Sequence, residues 1–236
     1  MKIINRQLRF ERLQKVIGSA NVDLLAEKSV LILGCGGVGG YVAEALARSG
    51  IGQLILVDYD EVEESNINRQ IIALTSTIGK NKVDVLEKRI KDINRDCSVI
   101  KIDKFIDKDN YLTLFDYSID FFIDCCDTVI VKKLVMKECI QRNVTFISSM
   151  GTGNKLDPSQ LEIVDLRKTV NDPLARILRK FIKDEKINKK VMVLSSRELP
   201  VKTGDRTPGS TVFVPASAGL MIASYVVRSF IEKQHS

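Results

Sequence analysis

Three separated stretches of this 236-residue chain carry residue types and spacings that could do chemistry on a phosphate. The first is Gly34-Cys35-Gly36-Gly37-Val38-Gly39-Gly40, in which Gly34, Gly36 and Gly39 keep the G-x-G-x-x-G spacing between an apolar run and a helical pattern. Glycines let the backbone turn sharply and approach a phosphate, which then meets the free N–H groups of a helix N-terminus. The second is Asp58-Tyr59-Asp60 followed by Ser65-Asn66-Ile67-Asn68-Arg69-Gln70, with Lys82 opening the next helical pattern. Asp58 lies at roughly the ~20-residue offset of a ribose-binding acid. Arg69 could clamp phosphate oxygens with its planar fork, and Lys82 adds a point charge. Alternatively, Arg69 pairs with the acids before it and Lys82 sits on a solvated helix face. The third is Asp124-Cys125-Cys126-Asp127-Thr128. A carboxylate leaving a strand end can hold Mg²⁺ together with substrate phosphates, although Asp127 could instead cap the following helix. Cys35, Cys125 and Cys126 read as small buried fillers rather than nucleophiles.

The elements that must position these residues follow from periodicity. Strand-like runs at Ser29–Gly34, Gln53–Asp58, Ser98–Asp103, Ile119–Asp124 and Val144–Ser149 alternate with helical segments near Gly39–Ser49, Asn81–Asn94, Asp109–Phe115 and Val129–Arg142. Such alternation predicts an α/β fold: a Rossmann-like, doubly wound, mainly parallel sheet with ligands outside the carboxyl ends of its strands. Met150-Gly151-Thr152-Gly153-Asn154 adds a second loop on that edge. A basic helix at Arg6 to Ile17, with an apolar face of Leu8, Leu13 and Val16, precedes the sheet. A β-like Thr211–Val214 and an apolar helix from Ala216 to Ile231 end the chain; that helix reads as packed on the body and too short to span a bilayer. We therefore expect one domain over 1–236, with its core at about 29–150 and a C-terminal α/β extension over 151–236.

Composition narrows the chemistry. Five scattered cysteines point to a reducing cytoplasm. No signal-peptide core opens the chain, and a membrane partner is not expected. There is no C-x-x-C pair, and the one histidine is His235 in the tail, which argues against zinc and against histidine acid–base chemistry. From Arg167 to Lys190, nine basic residues face three acidic ones, an excess equal to the +6 of the whole chain. Asp172-Pro173 reads as a helix start. Leu174, Ile177, Leu178, Phe181 and Ile182 make one apolar face of a helix over 172–186. Arg176, Arg179, Lys180 and Lys183 then fall on the sides or outside, a stripe of the kind that follows nucleic-acid phosphates.

In order along the chain, Arg12, the Gly34–Gly40 loop, Asp58-Tyr59-Asp60, Ser65 to Gln70, Lys82 and Asp124 to Asp127 resemble the ubiquitin-activating-type adenylating enzymes, the superfamily of the bacterial sulfur-carrier activators. The resemblance implies N-terminal helices and a nucleotide site of Gly34, Gly36, Gly37, Gly39 and Asp58 for adenosine, with Asn66, Arg69 and Lys82 on the triphosphate. Asp60 and Asn68 join the same nucleotide-binding set. It implies Mg²⁺ on Asp127 and a homodimer in which Arg12 completes the neighbour's site, so that Arg12, Arg69, Lys82 and Asp127 are the catalytic set. The zinc-binding C-x-x-C pairs of the sulfur-carrier activators are missing. The segments Leu156 to Gln160, Val164 to Thr169, Asp172 to Ala175, Pro208 to Ser210 and Phe213 to Gly219 are instead similar to the tRNA threonylcarbamoyladenosine dehydratases. That similarity runs over about Asn5 to Glu232 and implies ATP-dependent adenylation of a carboxylate on tRNA, then cyclisation with release of AMP and pyrophosphate. It also admits a cysteine desulfurase or sulfur-carrier protein as a further partner. Two other readings stay open from the residues: an activator of a small protein's C-terminal carboxylate, and a nicotinamide-dependent oxidoreductase.

Overall fold

The computed structural model describes residues 6–204 and 207–232; Asn5 and His235 lie outside them. Strand β1 (Ser29–Leu33) is buried along its whole length, as a strand covered on both faces must be. Its side chains divide with a period of two. Val30 and Ile32 join the core under α3 (Gly39–Arg48), α4 (Lys82–Ile93) and α7 (Phe213–Glu232), whereas Leu31 and Leu33 join the core under α5 (Val129–Gln141). Val30, Leu31 and Ile32 are 0% exposed, and each such side chain contributes about 1.5–3 kcal/mol on burial.

Strands β2 (Gln53–Val57) and β4 (Phe121–Asp124) flank β1 in parallel, and β3 (Ser98–Ile102) and β5 (Phe146–Ser149) extend the sheet outward, also in parallel. Two further strands were not legible as such. β6 (Leu161–Asp165) and β7 (Met192–Ser196) continue the sheet from the C-terminal extension, with β7 parallel to β5 and β6 antiparallel to β7. The order is β3-β2-β1-β4-β5-β7-β6, a Rossmann-like, mainly parallel sheet of seven strands among the described residues. Helix α6 (Pro173–Asp184) closes a third core with Met136, Met150, Val191 and Val193.

Four sequence expectations change. The segment expected as a helix over Asp109–Phe115 is a 3₁₀ turn at Tyr111–Asp116. Asp107 accepts from the N–H groups of Asp109 and Asn110, and Asn110 donates to the Phe105 carbonyl, so polar side chains take over backbone groups that an α-helix would use. Thr211–Val214 is not a strand: α7 begins at Phe213, with Val214 buried and Pro215 tolerated in the first turn. The 20 residues of α7 are long and apolar enough to cross a membrane, yet Val214, Ala218, Ile222, Val226 and Phe230 are buried in the core. It packs on α3 where Gly219 leaves no room for a side chain beside Tyr41. Finally, α1 (Arg6–Ile17) docks through Phe10, 3% exposed, and Ile17, whereas Leu8 and Val16 remain exposed; α2 (Ser19–Leu25) follows it.

Candidate active site

A cleft of about 470 Å³ opens at the carboxyl edge of β1, β2 and β4, within the ~300–1,000 Å³ of ligand pockets. Its floor is the glycine loop. Gly34 takes φ of +89° and lies so close to the strand-end loop of β4 that a Cβ would stand 2.9 Å from the Cys125 carbonyl. Gly36 and Gly37 line the cleft, but Gly39 does not. A Cβ on Gly39 would fall 1.8 Å from the Gly34 carbonyl oxygen, so this third glycine allows α3 to pack against the loop.

Asp58 ties β2 to that floor. Its Oδ2 accepts from the Cys35 N–H (2.6 Å) and its Oδ1 from the Asp60 N–H (2.9 Å). Burial pushes the Asp58 carboxyl above its ordinary range, with Lys82 and the two N–H groups opposing it. The chain beyond β2 folds back through an isolated bridge between Glu61 and Asn81, with Val62 donating to the Lys80 carbonyl. That return brings the first residue of α4 beside the end of β2. Lys82 is 5% exposed and its Nζ donates to Asp60 Oδ2 at 2.7 Å. It is therefore not on a solvated helix face, and Asp60 is the partner that makes its burial tolerable.

Asn66 is 5% exposed and its Oδ1 accepts from the Glu63 N–H (3.3 Å), capping its own 3₁₀ turn while still lining the cleft. Arg69 pairs with no acid among the described residues. Its Nη1 donates to the Ser65 carbonyl (2.8 Å) and Asn68 Oδ1 (2.9 Å), which orients the guanidinium along the cleft wall. Asn68 itself does not line the cleft; it donates to the Ser210 carbonyl (2.9 Å).

Asp127 reaches the cleft from the turn between β4 and α5, exposed and without an ion-pair partner among the described residues. The N-cap of α5 is Thr128, so Asp127 does not serve that end of the helix as a cap. The turn is anchored from beneath by Asp124, which is 1% exposed and accepts from the Cys126 N–H (3.2 Å) and the Ser148 hydroxyl (2.6 Å). The fully buried Lys132 donates to Asp124 Oδ2 (3.0 Å), Ser148 Oγ (3.2 Å) and the Ser149 carbonyl (2.9 Å). Burial is the largest single influence and would strip its proton, but the charge and hydrogen bond of Asp124, together with Cys126 and Cys125, outweigh it and hold the ammonium above its ordinary range. Asp124 is thereby spent on Lys132, whereas Asp127, like Glu61 and Glu63, lines the cleft outside any ion pair among the described residues.

Cys125 and Cys126 are half-buried in the cleft wall, less enclosed than the sequence suggested. Burial pushes the Cys125 thiol up to about 12, and those of Cys35 and Cys126 also well above the ordinary value, so none is a thiolate at neutral pH.

The remaining assignments fall elsewhere. Arg12, exposed on α1, does not line this chain's cleft. Arg176, Arg179, Lys180 and Lys183 lie on α6. Ile177, expected in the apolar face of that helix, is 43% exposed, and Ala175 is buried instead. Two polar or aromatic cleft residues escaped the sequence reading, and a third, Gln70, was read only as part of its motif. Lys104 and Phe105 follow β3 at the same edge, and Phe105 meets Tyr59 edge to face with centroids 4.8 Å apart. Looking past the carboxyl end of β3, as past the other strands, would have found both. Gln70 is 7% exposed and its Oε1 has no hydrogen-bond partner, beside Gly36. A buried, unpaired acceptor in a cleft wall is an unmet interaction that a bound molecule can meet.

The glycine loop, an ion-paired lysine, an arginine without an acid partner among the described residues and several carboxylates, Asp127 among them, line one space, an arrangement that suits a nucleoside polyphosphate. The ThiF family matches residues 5–235. The tRNA threonylcarbamoyladenosine dehydratase of Bacillus subtilis is 40% identical over 241 residues, covering 95% of each chain. Its counterpart in Escherichia coli is 37% identical over 177 residues, 75% of this chain and 66% of that one. Solved structures of the E. coli enzyme in complex with AMP and with ATP superpose with TM-scores of 0.92 at 32% identity, covering 98% or more of both chains. This chain belongs to the ThiF family.

Proposed function

We propose that the protein is an ATP-dependent tRNA threonylcarbamoyladenosine dehydratase. The observation that carries this reading is the end-to-end similarity to dehydratases whose solved structures hold ATP and AMP. ATP lies over the glycine loop with its triphosphate toward Arg69 and Lys82. A carboxylate oxygen of the modified adenosine attacks the α-phosphorus, the bond to the bridging oxygen breaks, and pyrophosphate leaves. An internal nucleophile of the same side chain then attacks the acyl carbon and expels AMP, so the substrate loses one water overall. An ionised carboxylate needs no general base for the first step. The protein supplies positioning and charge: Arg69 and Lys82 offset the charge growing on pyrophosphate. Asp127 suits a metal that takes one or two carboxylates plus phosphates, and Mg²⁺ held there would neutralise phosphate charge. All five cysteines are unpaired, which suits a cytoplasmic enzyme.

The test is mass spectrometry of nucleosides from tRNA incubated with the protein and Mg-ATP. The expected result is a modified adenosine lighter by one water, with AMP and pyrophosphate formed in equal amounts. ATP-dependent adenylation of a carrier protein's C-terminus instead would move the assignment to the sulfur-carrier activators. Tight NAD binding without a response to ATP in calorimetry would move it to the oxidoreductases.

We also propose that the enzyme works as a homodimer in which Arg12 serves the neighbouring cleft. In support, Arg12 is exposed on a helix whose Leu8 and Val16 are exposed too. Mixing Arg12→Ala chains with Asp127→Ala chains should rebuild one intact site per heterodimer and restore partial turnover from two inactive parents. No recovery despite demonstrated subunit exchange would place Arg12 in its own subunit or outside catalysis.

A further inference from the structure

A second cavity, about 610 Å³, lies at the C-terminal end of α6. Four cations line it, Arg167, Arg179, Lys183 and Lys186, together with Asn188 and two isoleucines, and no carboxylate is in its wall among the described residues. The two guanidinium groups are built in. Arg179 donates to the Thr169 carbonyl (2.8 Å) and to the Thr169 hydroxyl. Arg167 is held by Asp165 and by the carbonyls of Ile187 (2.6 Å) and Lys189 (3.3 Å). The side chains of Lys183 and Lys186 have no ion-pair partner among the described residues.

Lys186 is the residue that a purely structural account leaves unexplained. The helix ends in two closing bonds, Lys186 N–H to the Lys183 carbonyl (3.1 Å) and Ile187 N–H to the Ile182 carbonyl (2.9 Å). This closure puts Lys186 in the left-handed region, φ +52°, at the position where helices usually carry glycine. A side chain there is strained by its own Cβ. The chain accepts that strain and gains an unpaired ammonium on the wall of a cationic cavity.

The other end of α6 is fastened to the candidate active site. Asp172 caps the helix by accepting from the Ala175 N–H (2.9 Å), and its second oxygen accepts from the Gly151 N–H (3.0 Å). The buried Lys155 lies 3.6 Å from Asp172 and donates to the Gly151 carbonyl (2.8 Å). Thr152, the next residue, lines the adenylating cleft. The 12 residues of α6 span about 18 Å between that loop and the cavity. Arg176, Arg179, Lys180 and Lys183 fall within roughly one third of its circumference, at 100° per residue. These cations thus share one face of a helix that starts beside the loop carrying Thr152 and ends at the cavity.

We propose that this cavity is a phosphate-binding site for the RNA backbone, and that α6 is the track along which the substrate RNA runs from it to the adenylating cleft. The proposal rests on the tRNA reading of the cleft. Lys183 and Lys186 close on a phosphate oxygen as mobile point charges, while Arg167 and Arg179 form fixed walls.

Binding of an unmodified tRNA transcript at several salt concentrations tests it, alongside melting temperature and ATP binding. Lys186→Gly should raise the melting temperature, because glycine relieves the left-handed strain, and yet weaken tRNA binding on the order of fivefold at 0.15 M salt. Lys183→Ala with Lys186→Gly should flatten the slope of log affinity against log salt by about 0.7–0.9, the share of one phosphate. ATP affinity should not move in either variant. Lys88→Ala, which removes one charge from the exposed side of α4 as Lys186→Gly removes one from the cavity, should leave the slope within about 0.3 of wild type if the cavity rather than net charge is responsible. A Lys186→Gly protein that melts higher but binds tRNA as wild type does would overturn the cavity while leaving the tRNA reading intact, as would equal weakening by Lys88→Ala. Wild-type protein whose tRNA binding does not respond to salt would overturn both.

Discussion

Asp127→Ala and Arg69→Ala are each expected to lower turnover by about 10²–10³-fold, the typical loss when one preorganised group facing developing charge is removed, while the fold is left nearly untouched. Asp127 is exposed, and its contact in the structure is a long one, 3.5 Å, from the Thr128 hydroxyl. Because Thr128 rather than Asp127 is the N-cap of α5, the alanine variant keeps the helix end as it is. Arg69 loses bonds to Ser65 and Asn68 at a half-exposed site. Substitutions of this kind stay within about ±0.5 kcal/mol, or roughly 1–2 °C in melting temperature for a chain of this size. Rate and melting temperature measured on one preparation decide the matter. A variant that melts many degrees lower would be structural, and one that keeps both stability and rate would not belong to the site. Lys82→Ala is a poorer probe of the same role, since it leaves Asp60 without the partner 2.7 Å away.

The reach of the sequence is set by the physical range of each signal. The glycine loop, Asp58, Arg69, Lys82 and Asp127 were legible because they come after strands whose apolar runs are uninterrupted, and a parallel sheet gathers its strand-end loops at one edge. β6 and β7 escaped because Leu161–Asp165 is half-buried with mixed residue types, and Met192–Ser196 ends in two buried serines that composition reads as loop. Burial of Ser195 and Ser196 is a consequence of the strand's place between β5 and β6, information that no local window contains. Gly39 was legible as part of a fingerprint but not in its role: only the 1.8 Å clash with Gly34 separates packing from ligand contact. Lys132 was invisible for a related reason. Its neighbour Lys133 has the same residue type, and only the register of α5 sends one into the core and the other over the Phe181 ring.

Lys132→Met is expected to be the most destabilising single change considered for this protein. Lys132 is 0% exposed and Asp124 1%. Removing the ammonium strands a carboxylate in the core, where the Ser148 hydroxyl and the Cys126 N–H are neutral groups that compensate its charge only in part. Breaking a buried pair from one side costs about 3–5 kcal/mol, a large part of the ~5–15 kcal/mol that stabilises a domain, and corresponds to a fall on the order of 10 °C in melting temperature. The pair also joins β4, β5 and α5 beneath the turn that carries Asp127, and a displacement of ~1 Å there can cost up to about 10²-fold in rate. The variant should therefore turn over slowly even at temperatures where it is fully folded. Adding Asp124→Asn removes the stranded charge, and the double variant should recover half or more of the lost stability, as neutral replacements of buried pairs do. It should not recover the rate to the same extent, because the turn is still held by fewer bonds. Chemical denaturation of the two single variants and the double variant, closed into a thermodynamic cycle, reads the coupling directly. A double variant no more stable than Lys132→Met would mean that Lys132 acts through its bonds to Ser148 and Ser149 alone, and that its charge is not what the core requires.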